Sequence, residues 1–180
     1  AARDRTDLPE DLRGDLKEEA DVHYPKAVIG SGCHVCEVEI DPDTGMVDVV
    51  DWTAVDDVGR AINPMTLDGQ THGGVLQGIG QAIMENCAYD PGTGQMVGAT
   101  FMDYAMPRAD TVPAYRTKLL EIPSPSNPLG IKPGSEGGTA VAPAAVANAI
   151  VDALRDFGVK HIELPATPER IWRAMSGASV

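Results

Sequence analysis

The chain has 180 residues, enough for one sizeable core, and its formal net charge of −13 argues against nucleic acid or an anionic membrane surface as a partner. With 19 glycines, 14 prolines and only 4% aromatic residues, it is expected to join modest elements by long loops. No apolar run approaches the roughly 20 residues of a membrane helix, so no membrane insertion is expected. Three cysteines cannot build a disulfide framework and fit a reducing, cytoplasmic setting.

Residues 1–23 are dense in charge and poor in apolar side chains, which predicts a solvent-exposed arm or linker, and the domain proper is expected over 24–180. The chain begins at Ala1 with neither an initiator Met nor a leader segment, which fits a piece of a longer polypeptide. From Cys33 to Ile40, the apolar Cys36, Val38 and Ile40 alternate with Glu37 and Glu39, the pattern of a half-buried strand. Asp41-Pro-Asp-Thr-Gly45 then predicts a turn, and Met46 to Val55 the second strand of a hairpin. Cys33 and Cys36 have the CxxC spacing, yet positions three apart on a strand point to opposite faces, and no second CxxC follows. They read as packed strand cysteines, and no protein ligands to a metal are predicted.

Asp56 to Gly69, with Asn63-Pro64 inside it, reads as a polar connection. Beyond it, Val75, Leu76, Ile79, Ala82 and Ile83 recur at helical spacing, predicting a helix over Gln70–Cys87. Gly73, Gly74, Gly78 and Gly80 each cost about 1 kcal/mol there relative to Ala unless another backbone or a bulky cofactor approaches closely. The segment lacks the third glycine of a dinucleotide-binding pattern and the Gly-Lys-Ser/Thr of a P-loop. A second hairpin is predicted around Asp90-Pro-Gly-Thr-Gly94, and a further strand over Tyr115–Ile122. A helix follows from Ala142-Pro143 to Gly158, with Val146, Ile150, Leu154 and Phe157 on its apolar side and Pro near its first position. A short strand at His161–Leu164 and a helix from Thr167 through Ile171, Trp172 and Met175 to Gly177 complete the chain. Interspersed strands, helices and hairpins predict a mixed α/β (α+β) fold with a mixed sheet and packed helices.

The most informative stretch is Asn127-Pro-Leu-Gly-Ile-Lys-Pro-Gly-Ser-Glu-Gly-Gly-Thr139. Glu136 is bracketed by Gly134, Gly137 and Gly138, whose missing side chains let the backbone approach a ligand, and it precedes an anchored helix whose N-terminus favours anions. That setting suits a general base, although a solvated acid on a flexible loop has the same local sequence.

Taken in order, Val55-Asp-Asp-Val-Gly-Arg-Ala-Ile-Asn-Pro64, Asp68-Gly-Gln-Thr-His-Gly-Gly74, Gln77-Gly-Ile-Gly-Gln81, Phe101-Met-Asp-Tyr104, Pro107-Arg108 and Gly130–Thr139 resemble the xanthine dehydrogenase/aldehyde oxidase family of molybdenum hydroxylases. The resemblance is to the C-terminal molybdopterin-binding part of the large subunit, a group that includes carbon monoxide dehydrogenase. It implies hydroxylation of a carbon centre with oxygen from water at a molybdenum–molybdopterin cofactor, in its cytosine dinucleotide form, with Glu136 as general base. Gln70 matches the glutamine that opens the glycine-rich helix and bonds the cofactor, and Gly134 and Ser135 fall in the cofactor-binding loop. His72 is either a donor behind the cofactor or a helix-surface histidine, and Lys132 either orients the loop or is solvated. Ser135 departs from the Gly that many members place before the base, which opens the substrate class to aldehydes, N-heterocycles or carbon monoxide. The family also needs the remaining half of the molybdopterin subunit, iron–sulfur centres and usually FAD, expected in other domains or partner subunits. The isolated chain is therefore expected to be inactive. A non-catalytic assembly module that keeps the fold is the alternative reading.

Overall fold

The computed structural model describes residues 7, 9, 19–21 and 27–177, so the predicted charged arm lies largely outside the described residues. Strands β1 (Ser31–Ile40) and β2 (Val47–Asp57) form the first predicted hairpin. Its turn is closed by Asp41, whose carboxylate accepts from the Asp43 amide at 2.9 Å and the Thr44 hydroxyl at 2.7 Å, and Gly45 takes a φ of 74°. Glu37 pairs with Asp51 and Val38 with Val49, leaving Val50 as a bulge. That extra residue restores the phase of β2, so Val47 and Val49 before it and Trp52 and Ala54 after it all join the core. Strand β3 (Arg116–Leu120) lies parallel to β2 on its other side, giving a mixed sheet of order β1-β2-β3.

Helices α1 (Pro64–Ile83) and α2 (Gly137–Ala153) pack on each other and over the sheet, and α3 (Pro168–Met175) closes the core. Trp52, Val75, Ile79, Val146, Ile150, Leu154 and Ile171 are fully buried between them. Close approach of neighbouring groups is what three of the five α1 glycines, Gly74, Gly78 and Gly80, answer to. A Cβ on Gly74 would stand 3.0 Å from the Thr139 amide nitrogen, and one on Gly78 would stand 2.6 Å from the Ala142 Cβ and 2.9 Å from Pro143. Gly80 is similarly filled by Pro107, whereas Gly73 faces open space.

Four expectations need correction. Helix α1 starts at Pro64, because Asn63 caps it by accepting from the Thr66 amide at 3.1 Å, so Gln70 lies inside the helix rather than at its opening. Helix α2 starts at Gly137 and holds Pro143 in its interior. Glycine propensity suggested a loop there, but packing of Gly138 on α1 overrides it, and the bare Gly78 accommodates the proline ring. His161–Leu164 forms no strand; of the four residues only Ile162 is buried. The second hairpin is reduced to a single Tyr89–Met96 bridge around the Asp90 turn.

Candidate active site

The segment that carries Glu136 is fastened before it reaches the helix. Asn127 clasps Ile131 from both sides, its Nδ2 donating to the Ile131 carbonyl at 2.9 Å and its Oδ1 accepting from the Ile131 amide at 3.0 Å. Ile131 bridges to Gly59, and the Lys132 amide donates to the Val58 carbonyl at 2.9 Å. The Lys132 ammonium then reaches Asp57 Oδ2 at 2.5 Å, while Asp57 Oδ1 accepts from the amides of Gly59 at 3.0 Å and Ile122 at 3.2 Å. A single carboxylate at the end of β2 thus ties together the exits of β2 and β3 and the glutamate loop. Lys132 orients the loop, the first of its two sequence-level alternatives.

The hydrogen bond from Lys132, followed by the two backbone amides, holds the Asp57 carboxyl below its ordinary range against the opposing effect of desolvation. A depressed folded value means that this group stabilises the fold above the unfolded carboxylate pKa of about 3.9 and that the contribution is lost as pH falls through the folded value. Lys132→Met therefore lowers the melting temperature at neutral pH, and the gap from the parent chain narrows below pH about 3.9. A pH series of thermal melts checks this; a gap that widens on acidification contradicts it.

Past Lys132, Gly134 is half-buried because Leu67 and Val58 fill the space a side chain would need: a Cβ would stand 2.6 Å from Leu67 Cδ2. Ser135 and Glu136 are exposed. Glu136 is the N-cap of α2; its carboxylate makes no capping hydrogen bond, and the residue is among those lining a cavity of about 350 Å³. Glu136, Gly137, Asp56, Thr71, Val141 and Ile29 are among its walls, so β1, β2 and both long helices meet there. Glu136 and Gly134 share this cavity, Ser135 flanks it, and Gln70 precedes the cavity-lining Thr71. Gln70 is itself exposed, between Gly69 and Gly73, over which no atom lies within 4 Å. The same turn of α1 touches α2, since a Cβ on Gly138 would meet the Thr71 carbonyl at 2.8 Å. His72 is half-exposed, 3.7 Å from Asp68 and tilted against the Tyr115 ring, in keeping with a helix-surface histidine.

Two carboxylates of this region were missed from sequence. Asp56 and Asp57 stood in a recognised motif without assigned roles, and only the hairpin register shows that Asp56 shares a face with His34, while Asp57 is turned toward Lys132. Among the described residues, no group of three or more His, Cys, Asp or Glu is placed to hold a metal ion directly.

Comparison with known proteins gives a consistent set of likenesses. Residues 6–113 match the family model described as "Molybdopterin cofactor-binding domain". The chain is 43% identical over 152 residues to the nicotine 6-hydroxylase large subunit of Paenarthrobacter nicotinovorans, covering 84% of this chain and 18% of that one. It is 36% identical over 157 residues to the carbon monoxide dehydrogenase large chain of Hydrogenophaga pseudoflava, covering 86% and 19% respectively. Among solved structures, quinoline 2-oxidoreductase from Pseudomonas putida 86 superposes with a TM-score of 0.79 at 44% identity, over 83% of this chain and 19% of that chain. The chain therefore spans about a fifth of the length of these relatives.

Proposed function

The chain belongs to the molybdopterin cofactor-binding domains of the xanthine dehydrogenase/aldehyde oxidase family, and from that membership we propose that it forms the C-terminal part of a molybdenum hydroxylase large subunit, with Glu136 as the general base. The observation that carries this reading is the position of Glu136. Its carboxylate is committed to no partner in its own helix, it sits on a cavity wall, and it is reached by a loop that Asn127 and Lys132 hold in register.

The residues present fit the cofactor. Gln70 offers an amide that can both donate and accept, and the bare backbone of Gly69 and Gly73 beside it leaves room for a flat, bulky group. The first amides of α2, at Gly137 and Gly138, have no intrahelical acceptor and suit an anionic group. Because the protein supplies no metal-ligating cluster among the described residues, the cofactor would bring the metal's ligands with it. Gln70, Gly134 and Ser135 would hold it, in its cytosine dinucleotide form. When bound, molybdenum supplies Lewis acidity and accepts the electrons of the oxidation.

This chain's own residues do the rest. A Glu136 carboxylate oxygen receives the proton from the water that delivers oxygen to the substrate carbon, and Lys132, through Asp57, fastens the loop that leads to Glu136. Iron–sulfur and flavin groups would lie in other domains or subunits, in line with relatives named as large subunits or as a subunit of a complex. No helix among the described residues is long and apolar enough to cross a membrane. The free thiols of Cys33, Cys36 and Cys87 favour a reducing, cytoplasmic setting for the enzyme.

The shared pocket is tested by the molybdenum and pterin content of the chain purified alone and after co-expression with the rest of its large subunit. Metal and pterin in the co-expressed sample only is the expected result. Their absence from both contradicts the proposal.

A further inference from the structure

Asp56 lies on the helix-facing side of β2, diagonally across from His34 on β1, for His34 is opposite Ala54 and Asp56 is opposite Gly32. His34 Nε2 stands 3.1 Å from Asp56 Oδ1 and 3.3 Å from Oδ2. The His34 side chain is completely buried, with the Trp52 ring edge-on at 5.8 Å, and its Nδ1 has no partner. A buried N–H without an acceptor is costlier than a bare ring nitrogen, so the proton of His34 belongs on Nε2, where Asp56 accepts it.

Gly32 makes the slot for that carboxylate, and Gly137 borders it at ordinary contact distance. A Cβ on Gly32 would stand 2.1 Å from Asp56 Oδ1, and one on Gly137 would stand 3.7 Å from the Asp56 carboxyl atoms. The carboxylate consequently rests against the first residue of α2. Among the described residues, the first turn of α2 itself has no acidic residue, and the side chain of its N-cap, Glu136, makes no capping bond. A helix start carries about half a positive charge and unsatisfied N–H groups, both of which attract a carboxylate. Without Asp56, the anion tethered to that helix end is Glu136 itself, free to fold back over the amides of Gly138 and Thr139.

We propose that Asp56, held by His34, is a positioning residue for Glu136: it supplies the negative charge at the start of α2 and so leaves the Glu136 carboxylate at the cavity. The proposal rests on the reading of Glu136 as base. It also accounts for a buried histidine on a strand whose other core-facing residues, Cys36, Val38 and Ile40, are apolar packing groups.

The test compares Asp56→Asn with the parent in two readouts. In the full chain, hydrogen exchange is followed at the Ala140 amide, which donates to the Glu136 carbonyl at 2.9 Å and closes the first turn of α2. Asp56→Asn is expected to speed that exchange about tenfold, while the amide of Ile150, deeper in α2, is unchanged. In the co-expressed enzyme the same variant is expected to lower kcat about tenfold with KM and molybdenum content unchanged. His34→Gln, whose amide can still donate to Asp56, should retain most of both properties, and His34→Leu should behave like Asp56→Asn. Parent-like Ala140 exchange and kcat in Asp56→Asn overturn the proposal, as does equal behaviour of the two His34 variants if Asp56→Asn does not fold. Faster Ala140 exchange with unchanged kcat, in an enzyme that Glu136→Gln inactivates, overturns the link to Glu136 alone. Survival of activity in Glu136→Gln instead removes the base assignment.

Discussion

Gly138→Ala destabilises the chain by about 1–3 kcal/mol, the range for forcing extra atoms into a packed interior, whereas Gly73→Ala on the facing helix stabilises it by about 0.5–1 kcal/mol. The added methyl at Gly138 meets only backbone: the Val75 nitrogen at 2.7 Å, the Thr71 carbonyl oxygen at 2.8 Å and the Gly74 carbonyl carbon at 3.0 Å. No rotamer can relieve those contacts, so the α1–α2 crossing must widen, carrying the start of α2 and Glu136 with it. At Gly73 the methyl meets no atom within 4 Å, and only the ordinary preference of a helix for Ala over Gly remains. Urea denaturation of the two variants beside the parent separates the signs. Equal effects at both positions would contradict the crossing as the reason for the glycines.

That contrast also marks what the sequence could and could not reveal. The strand Cys33–Ile40 and its Asp41 turn were legible because alternation and turn chemistry are local, as was the final helix, opened by Thr167-Pro168 and followed by Gly177 with a φ of 67°. The start of α2 was hidden, because Gly137-Gly138-Thr139 has the composition of a loop and becomes helix only through contact with Gly74 and Thr71. Pro143 suggests a later start, since a proline is more often a helix start than the interior residue it is here. The strand expected at His161–Leu164 rested on residue type, with no partner strand that sequence could identify.

The site divides the same way. Glu136, Gln70, Gly134 and Ser135 could be named because the order of several motifs resembled a family. Their mutual arrangement could not, for it depends on a register across β1 and β2, a bulge at Val50 and one helix crossing. Asp57 with Lys132 and Asp56 with His34 emerge only once those long-range pairings exist, at separations of 75 and 22 residues. A family motif identifies which residues matter to the relatives; the partners that hold them come from the fold.

The most direct measurement is turnover and metal content of Glu136→Gln in the co-expressed enzyme, taken on the same preparation. Gln is close to Glu in shape and keeps one acceptor oxygen, but it cannot take the proton from water, so loss of the base acts on the chemical step. Turnover should fall by about 10²–10⁴-fold, the usual contribution of a general base, with molybdenum content and subunit assembly unchanged. Activity retained at the parent level, with full metal content, would contradict Glu136 as base and favour a domain that keeps the fold for assembly alone.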